Sequence, residues 1–258
     1  MAGRRVLVTR AAHQAGKLSD GLRALGAEPV EVPVLEIRPP ASFEALDNAL
    51  THLNDYDWLI LTSANTVRAL AGRAAGLGID LGQCSSLQVA TVGEGTAAAA
   101  KEVGFYITFV PVIYVAESLI EGMIGKSSEN KIAGKKILLA RAAVARDVIP
   151  DAIRAAGAAV DVVDAYRNVM PEAAPELLRQ GLAGGIDAAT FTSSSSATHL
   201  AEAARAAEVE WPFAGVPAVT IGPITSGTLR ELGWEPAIEA EQSDIPGLIS
   251  AVSQLFRR

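Results

Sequence analysis

Four short segments place serine and threonine where an anion could be held: Thr62-Ser63-Ala64-Asn65-Thr66, Gly93-Glu94-Gly95-Thr96, Thr192-Ser193-Ser194-Ser195-Ser196 and Gly222-Pro223-Ile224-Thr225. Each follows a short apolar run and opens a helical pattern, so each reads as a junction where a strand ends and a helix begins. Serine and threonine at such points are expected to cap the helix by accepting a bond from a free backbone N–H. The remaining N–H groups and the positive end of the helix dipole are then open to an anion. One junction alone implies simple capping. Four of them, on two facing sheets, are expected to converge on one cleft. Arg10 and Arg141 lie just after the first strand of each half of the chain, and Arg146 follows on the loop or first turn of the next helix. Such residues are either solvated surface charges or planar donors suited to carboxylate and phosphate.

Little covalent machinery stands beside these groups. His52 falls late in an apolar helix, His199 lies two turns into the helix after Thr192, and His13 is read as a strand-end loop residue rather than a catalyst. Thr9-Arg10-Ala11-Ala12-His13 stands where a dinucleotide-binding glycine turn would follow the first strand, and Gly93-Glu94-Gly95-Thr96 is only a fragment of that pattern. Nicotinamide and flavin binding of the usual kind are therefore disfavoured. A Walker lysine motif, a nucleophile elbow and paired histidines for a metal are all missing. Cys84, in a polar loop with Gly82 and Ser85, reads as an incidental thiol. The chemistry left is that of a site which binds an anion and shapes it.

The elements that must position these groups repeat. Arg4–Arg10 matches Lys135–Arg141, Arg23–Ala27 matches Arg154–Ala158, Asp57–Ser63 matches Asp187–Ser193, and Val92–Thr96 with Lys101–Phe105 matches Ile221–Thr225 with Arg230–Trp234. The blocks keep their order at an offset of about 130 residues that drifts by single positions, so the chain is read as a duplicated unit. Val6–Thr9, Trp58–Thr62, Val89–Val92 and Ile137–Ala140 lack polar alternation, as strands buried on both faces of a parallel sheet do. Helices are expected at Lys17–Leu25, Phe43–Leu53, Ala64–Ala75 and Thr96–Val103, with Gly26, Gly104, Gly157 and Gly233 as left-handed stops. The expected fold class is α/β, with two flavodoxin-like or Rossmann-like parallel-sheet domains from an internal duplication, joined by two extended connectors. Residues 34–40 and 165–171 are those connectors, since each follows a second strand and reaches proline. Residues 1–35 with 172–258 form one discontinuous domain and residues 38–167 the other. Lys126–Lys131 is read as a polar loop between the repeats.

Composition sets the outer bounds. The 258 residues are 50% hydrophobic and 20% charged, which supports a packed core and excludes disorder. Aromatic residues make up only 5%, which favours helix-rich packing. Twenty-two basic against 29 acidic residues give a net charge of −7, the wrong sign for broad contact with nucleic acid or an anionic membrane. A single cysteine excludes an internal disulfide framework. Met1–Arg10 is a basic cluster running into a strand, with no apolar stretch long enough for a signal peptide, and no membrane-spanning run occurs. A cytoplasmic protein is expected.

Taken in order, these motifs resemble the uroporphyrinogen-III synthase family. The likeness covers nearly the whole chain: the Val-Leu-Val-Thr-Arg opening, Leu61–Asn65, Val92–Thr96, Ala165-Tyr166-Arg167, Phe191-Thr192-Ser193, Ile221–Thr225 and Ser243–Leu248. The resemblance implies two α/β domains joined by two extended strands. It also implies a cofactor-free lyase that closes the linear tetrapyrrole hydroxymethylbilane, losing water and inverting the last ring, for haem, sirohaem or cobalamin synthesis. On that reading Tyr166 is the catalytic candidate, its phenol assisting the departing hydroxyl. Ser63, Thr96, Ser193 and Thr225 would contact the substrate, and Arg10, Arg141 and Arg146 would pair with its carboxylates. Family members often carry proline or a bulkier residue after the first serine of the Ser193–Ser196 run, where this chain departs. The expected partner is the small-molecule tetrapyrrole, with room for transient contact with hydroxymethylbilane synthase, no metal, no nucleic acid, no membrane, and a monomer. The alternatives are a cytoplasmic two-lobed sensor that binds an anion or tetrapyrrole without catalysis, and a phosphosugar isomerase.

Overall fold

Apolar runs without polar alternation form strands covered on both faces. The computed structural model describes residues 1–84, 86–125 and 132–257, so the loop expected at Lys126–Lys131 lies outside the described residues. In chain order the first elements are β1 (Arg5–Val8), α1 (Ala12–Ala24), β2 (Glu28–Glu31), β3 (Glu36–Arg38), α2 (Glu44–Thr51), β4 (Trp58–Leu61), α3 (Ala64–Gly76), β5 (Gln88–Thr91), α4 (Glu94–Glu102), β6 (Ile107–Phe109) and α5 (Ala116–Ile124). Then come β7 (Lys136–Ala142), α6 (Val148–Ala155), β8 (Ala159–Val169), α7 (Ala174–Ala183), β9 (Ala188–Phe191), α8 (Ser194–Ala206), β10 (Ala218–Thr220), α9 (Pro223–Glu231), β11 (Pro236–Glu239) and α10 (Ile245–Leu255). Contacts divide the chain into two units, Met1–Glu36 with Asn168–Arg258, and Ile37–Arg167.

In the first unit the strands lie in the order β11-β10-β9-β1-β2, every neighbouring pair parallel. Numbered along the chain within this unit, that is the flavodoxin-like order 2-1-3-4-5. Successive side chains of a strand point to opposite faces. Leu7 of β1 therefore packs with Phe191, Leu200 and Leu178, while Val6 and Val8 pack with Leu18, Leu22 and Leu248. Four aromatic residues cluster here: Trp234 stands edge-on to Phe191, Trp211 and Phe213 at centroid distances of 5.5, 4.9 and 5.2 Å. This packing anchors the end of β9, where Phe191 precedes Thr192 and Ser193.

The second unit has the order β3-β8-β7-β4-β5-β6, and the pairs from β8 to β6 are parallel. Leu59 and Leu61 of β4 enter a core with Leu46, Leu50 and Leu70, and Ile60 enters the opposite one with Leu119, Ile137 and Ile153. Gly26, Gly104, Gly157 and Gly233 end helices with φ of 83°, 98°, 80° and 84°, which side chains with a Cβ rarely adopt.

Three local expectations need correction. His13 is the second residue of α1 rather than a loop residue, because the chain enters the helix directly from the extended Ala11 (φ −52°, ψ 140°). Arg141 lies inside β7, not after it, because β7 runs seven residues to Ala142. Ala165–Val169 continues an eleven-residue β8 and is not a separate segment after the strand; β3 hydrogen-bonds beside it at the sheet edge.

Candidate functional site

In open parallel sheets a ligand site lies beyond the carboxyl ends of the strands, where the winding direction reverses. In the first unit that reversal falls between β1 and β9, and in the second between β7 and β4. Val8 pairs with Thr190 and Leu61 with Ala140, so the chain beyond these pairs carries Arg10 and Ser193 in one unit, Arg141 and Ser63 in the other. The first reversal is braced by buried hydroxyls. Thr9 Oγ1 donates to the Thr190 carbonyl (2.9 Å) and Thr190 Oγ1 to the Leu7 carbonyl (2.7 Å).

Two of the four junctions are capped as expected. Ser63 is the N-cap of α3, its Oγ accepting from the Thr66 N–H at 3.1 Å. Ser193 caps α8 and accepts from the Ser196 N–H (3.1 Å), while the Ser196 hydroxyl accepts from the Ser193 N–H (3.2 Å). The serine run that departs from the family pattern thus closes a reciprocal capping box. At the other two junctions the expectation fails. Gly93 and Gly222, both in extended backbone, hold the cap positions of α4 and α9 without a side-chain cap. Thr96 and Thr225 instead stand in the first helical turn and are nearly buried. Without a side-chain cap, the Thr96 N–H turns to the Gly93 carbonyl (3.0 Å), and the two N–H groups before it are open to water or a ligand.

The arginines differ from one another. Arg10 donates to Gln14 Oε1 through a long bond (3.4 Å), and its Nε is buried with no hydrogen-bond partner. Burial pushes its guanidinium below the ordinary arginine value. Arg141 donates to the Arg146 carbonyl (3.0 Å) and to Asp147 Oδ1 (2.7 Å), yet its Nε is likewise buried and unpartnered, with the side chain only 13% exposed. Arg146 is exposed and pairs with Glu117 Oε1 at 3.3 Å.

Tyr166 is buried among Ala142, Ala165, Ile37 and Ala69. Ala142 of β7 pairs with Tyr166 of β8, two residues beyond the Leu61–Ala140 pair that ends β4. Its Oη lies 3.2 Å from Ser63 Oγ. The second unit therefore brings Ser63, Tyr166 and Arg141 to one edge with Thr96, and the first unit brings Arg10, Ser193 and Thr225 to its own. Two residues that sequence reasoning passed over stand at the second edge. Thr66 is buried 3.0 Å from Ser63 Oγ. The ring of Tyr114 lies so close to Gly93 that a Cβ there would meet it at 3.3 Å. A cue for Tyr114 was present in the Tyr106–Tyr114 stretch, which exposes several large apolar side chains. Elsewhere, a hollow beside α10 is lined by Gln242 and by Glu239 and Glu241, whose carboxylates repel an anionic ligand. Among the described residues there is no cluster of metal-ligating side chains, and no helix is long and apolar enough to cross a membrane.

The chain is 34% identical over 264 residues to a uroporphyrinogen-III synthase of Synechococcus elongatus, covering 99% of this chain and 97% of that one. It is 31% identical to a porphyrin biosynthesis protein HemD of Ruminiclostridium josui, covering 98% of this chain and 49% of that longer protein. Its fold is similar to a uroporphyrinogen III synthase structure from Thermus thermophilus, with a TM-score of 0.69, 20% identity and 99% of each chain covered. The family model described as uroporphyrinogen-III synthase HemD matches residues 16–250, and the chain belongs to that family.

Proposed function

We propose that this chain is a lyase that cyclises hydroxymethylbilane to uroporphyrinogen III, with loss of water and inversion of the last pyrrole ring. The observation that carries this reading, beside family membership, is the pair of arginines, Arg10 and Arg141, each with a buried unpartnered Nε at its unit's switch point. A donor left without an acceptor is costly in the free protein and suits a ligand that supplies one. Hydroxymethylbilane carries many carboxylates, which match guanidinium groups and the N–H groups at helix starts.

The substrate brings much of its own reactivity. An electron-rich pyrrole expels hydroxide from the hydroxymethyl carbon to give an azafulvene, and attack by the crowded position of the last ring gives a spiro intermediate that reopens and closes with that ring inverted. The protein's task is then to hold the chain so that this position, rather than the open one, reaches the electrophilic carbon. Conformational control of this kind is worth several kcal/mol in well-oriented reactions, up to about 7–11. Thr96, Ser193 and Thr225, the helix starts including the one that Ser63 caps, and Arg10, Arg141 and Arg146 are assigned to carboxylate binding. Tyr166 is assigned to donate a hydrogen bond or proton to the departing hydroxyl. The chain is expected to work without a cofactor, as a monomer in the cytoplasm, on substrate released by hydroxymethylbilane synthase. The test is to supply freshly generated hydroxymethylbilane and resolve the product isomers. Unassisted closure gives isomer I, so isomer III supports the proposal, and isomer I alone overturns it in favour of a binding module.

A further inference from the structure

Three hydroxyls form a chain at the start of α3: Thr66 Oγ1 lies 3.0 Å from Ser63 Oγ, which lies 3.2 Å from Tyr166 Oη. The direction in which their protons run follows from counting. A hydroxyl has one proton and two acceptor sites. One acceptor site of Ser63 Oγ is already taken by the Thr66 N–H at 3.1 Å. Its remaining site and its single proton must serve the other two hydroxyls, so one of them donates to Ser63 and the other accepts from it. Thr66 decides which. It is fully buried, and among the described residues Ser63 Oγ is the one acceptor within reach of its hydroxyl. Were Ser63 to donate to Thr66, the Thr66 proton would be buried without an acceptor, the more expensive arrangement.

We infer that Thr66 is a positioning residue: its hydroxyl donates to Ser63, Ser63 donates to Tyr166, and the Tyr166 proton is left for the substrate. The inference rests on the proposed role of Tyr166 as donor to the departing hydroxyl. Tyr56 shows the contrasting case, since its phenol donates to Asp161 Oδ2 at 2.8 Å and has no proton to offer. Without the Thr66 hydroxyl, the second acceptor site of Ser63 opens. A phenol is a stronger acid than an aliphatic alcohol, so Tyr166 would then turn its proton inward to Ser63.

Thr66→Val removes the hydroxyl at nearly constant volume, and Thr66→Ser keeps it. The tyrosine ring doublet in the Raman spectrum distinguishes an accepting phenol from a donating one, and subtraction of the Tyr166→Phe spectrum isolates Tyr166. In the unsubstituted protein Tyr166 is expected to read as accepting, whether or not its own proton also meets water. In Thr66→Val it should read as a donor, with kcat for isomer III lowered about three- to tenfold and KM little changed. Thr66→Ser should return both readouts. A Tyr166 that donates without accepting in the unsubstituted protein overturns the inference even if Thr66→Val does not fold, and so does a Raman signal indifferent to Thr66→Val. Should the spectra behave as expected while Tyr166→Phe keeps full turnover, the proton order stands and the reaction role of Tyr166, with the positioning role of Thr66, falls. Absence of isomer III from the unsubstituted protein would refute the synthase reading separately, since the spectra need no substrate.

Discussion

Replacing Arg10 by methionine keeps a long flexible side chain at the end of β1 and removes the guanidinium. In the free protein that group has a buried unpartnered Nε and one long bond to Gln14. The orphaned donor costs about 1–3 kcal/mol, and a 3.4 Å bond returns at most about 1. Arg10→Met is therefore expected to stabilise the unliganded protein by about 1 kcal/mol, a rise in Tm of roughly 2–4 °C. Substrate binding should move the other way. A charge-assisted bond to a carboxylate is worth about 1.5–3 kcal/mol, so KM should rise about 10- to 100-fold while kcat changes less. The assay is thermal unfolding without ligand, paired with initial rates of isomer III formation. A lower Tm together with an unchanged KM would refute the reasoning, because it would make Arg10 a structural residue with its partners in the folded chain.

Tyr166→Phe should lower kcat about tenfold or more with little change in KM; stability should fall by no more than about 1 kcal/mol, because the ring stays packed and Ser63 keeps both its bonds to Thr66. Full turnover in that variant would make the tyrosine structural. Ser193→Ala removes one half of the capping box and should cost about 1 kcal/mol in denaturant unfolding, with a partial loss of activity; complete loss with an intact fold would contradict binding spread over many weak contacts. The last expectation concerns acid. Asp187 is held below the ordinary aspartate value first by the Arg5 amide and then by the Arg4 guanidinium, and Asp57 first by the Lys135 ammonium and then by the Lys136 amide. A depressed folded value stabilises fully above the unfolded one, near pH 4, and the contribution is lost as pH falls through the folded one. Asp187→Asn should thus weaken the fold at neutral pH, with the difference shrinking below about pH 4; a difference constant with pH would count against it.

How far the sequence could be read depended on whether a feature was set locally. The strands β4 and β9 were legible because burial on both faces removes polar alternation, and the helix ends at Gly26 and Gly233 because only glycine takes φ near 83° without strain. The capping expected of Thr96 and Thr225 fails because a Gly-x-x-Thr segment does not say which residue is the last one outside the helix. The extended φ of Gly93 and Gly222 decides it, and any residue type could have adopted that backbone. The start of α1 was placed late for want of a capping side chain, since Ala11 accepts no such bond. Arg141 and Tyr166 lie in strands that run longer than their apolar cores suggest, held by pairing that is visible only once β7 and β8 are side by side. Thr66 was part of a quoted motif, yet its meaning lies in a count of protons and acceptors around Ser63, and that count requires distances.

β1, an inner strand of the first unit, is made early in the chain, while β9 beside it is made much later, with Ile37–Arg167 in between. During synthesis β1, α1 and β2 therefore leave the ribosome long before the strand they must pair with. At typical translation speeds the wait is on the order of 10 s. Through that interval one edge of β1, with Val6, Leu7 and Val8, has no partner strand, while Ile37–Arg167 already contains every strand of its own sheet. Nascent chains stalled after Arg167 should accordingly protect the second unit from protease and leave residues before Glu36 open to cleavage. The order of manufacture thus makes the beginning of the chain the last part to be secured.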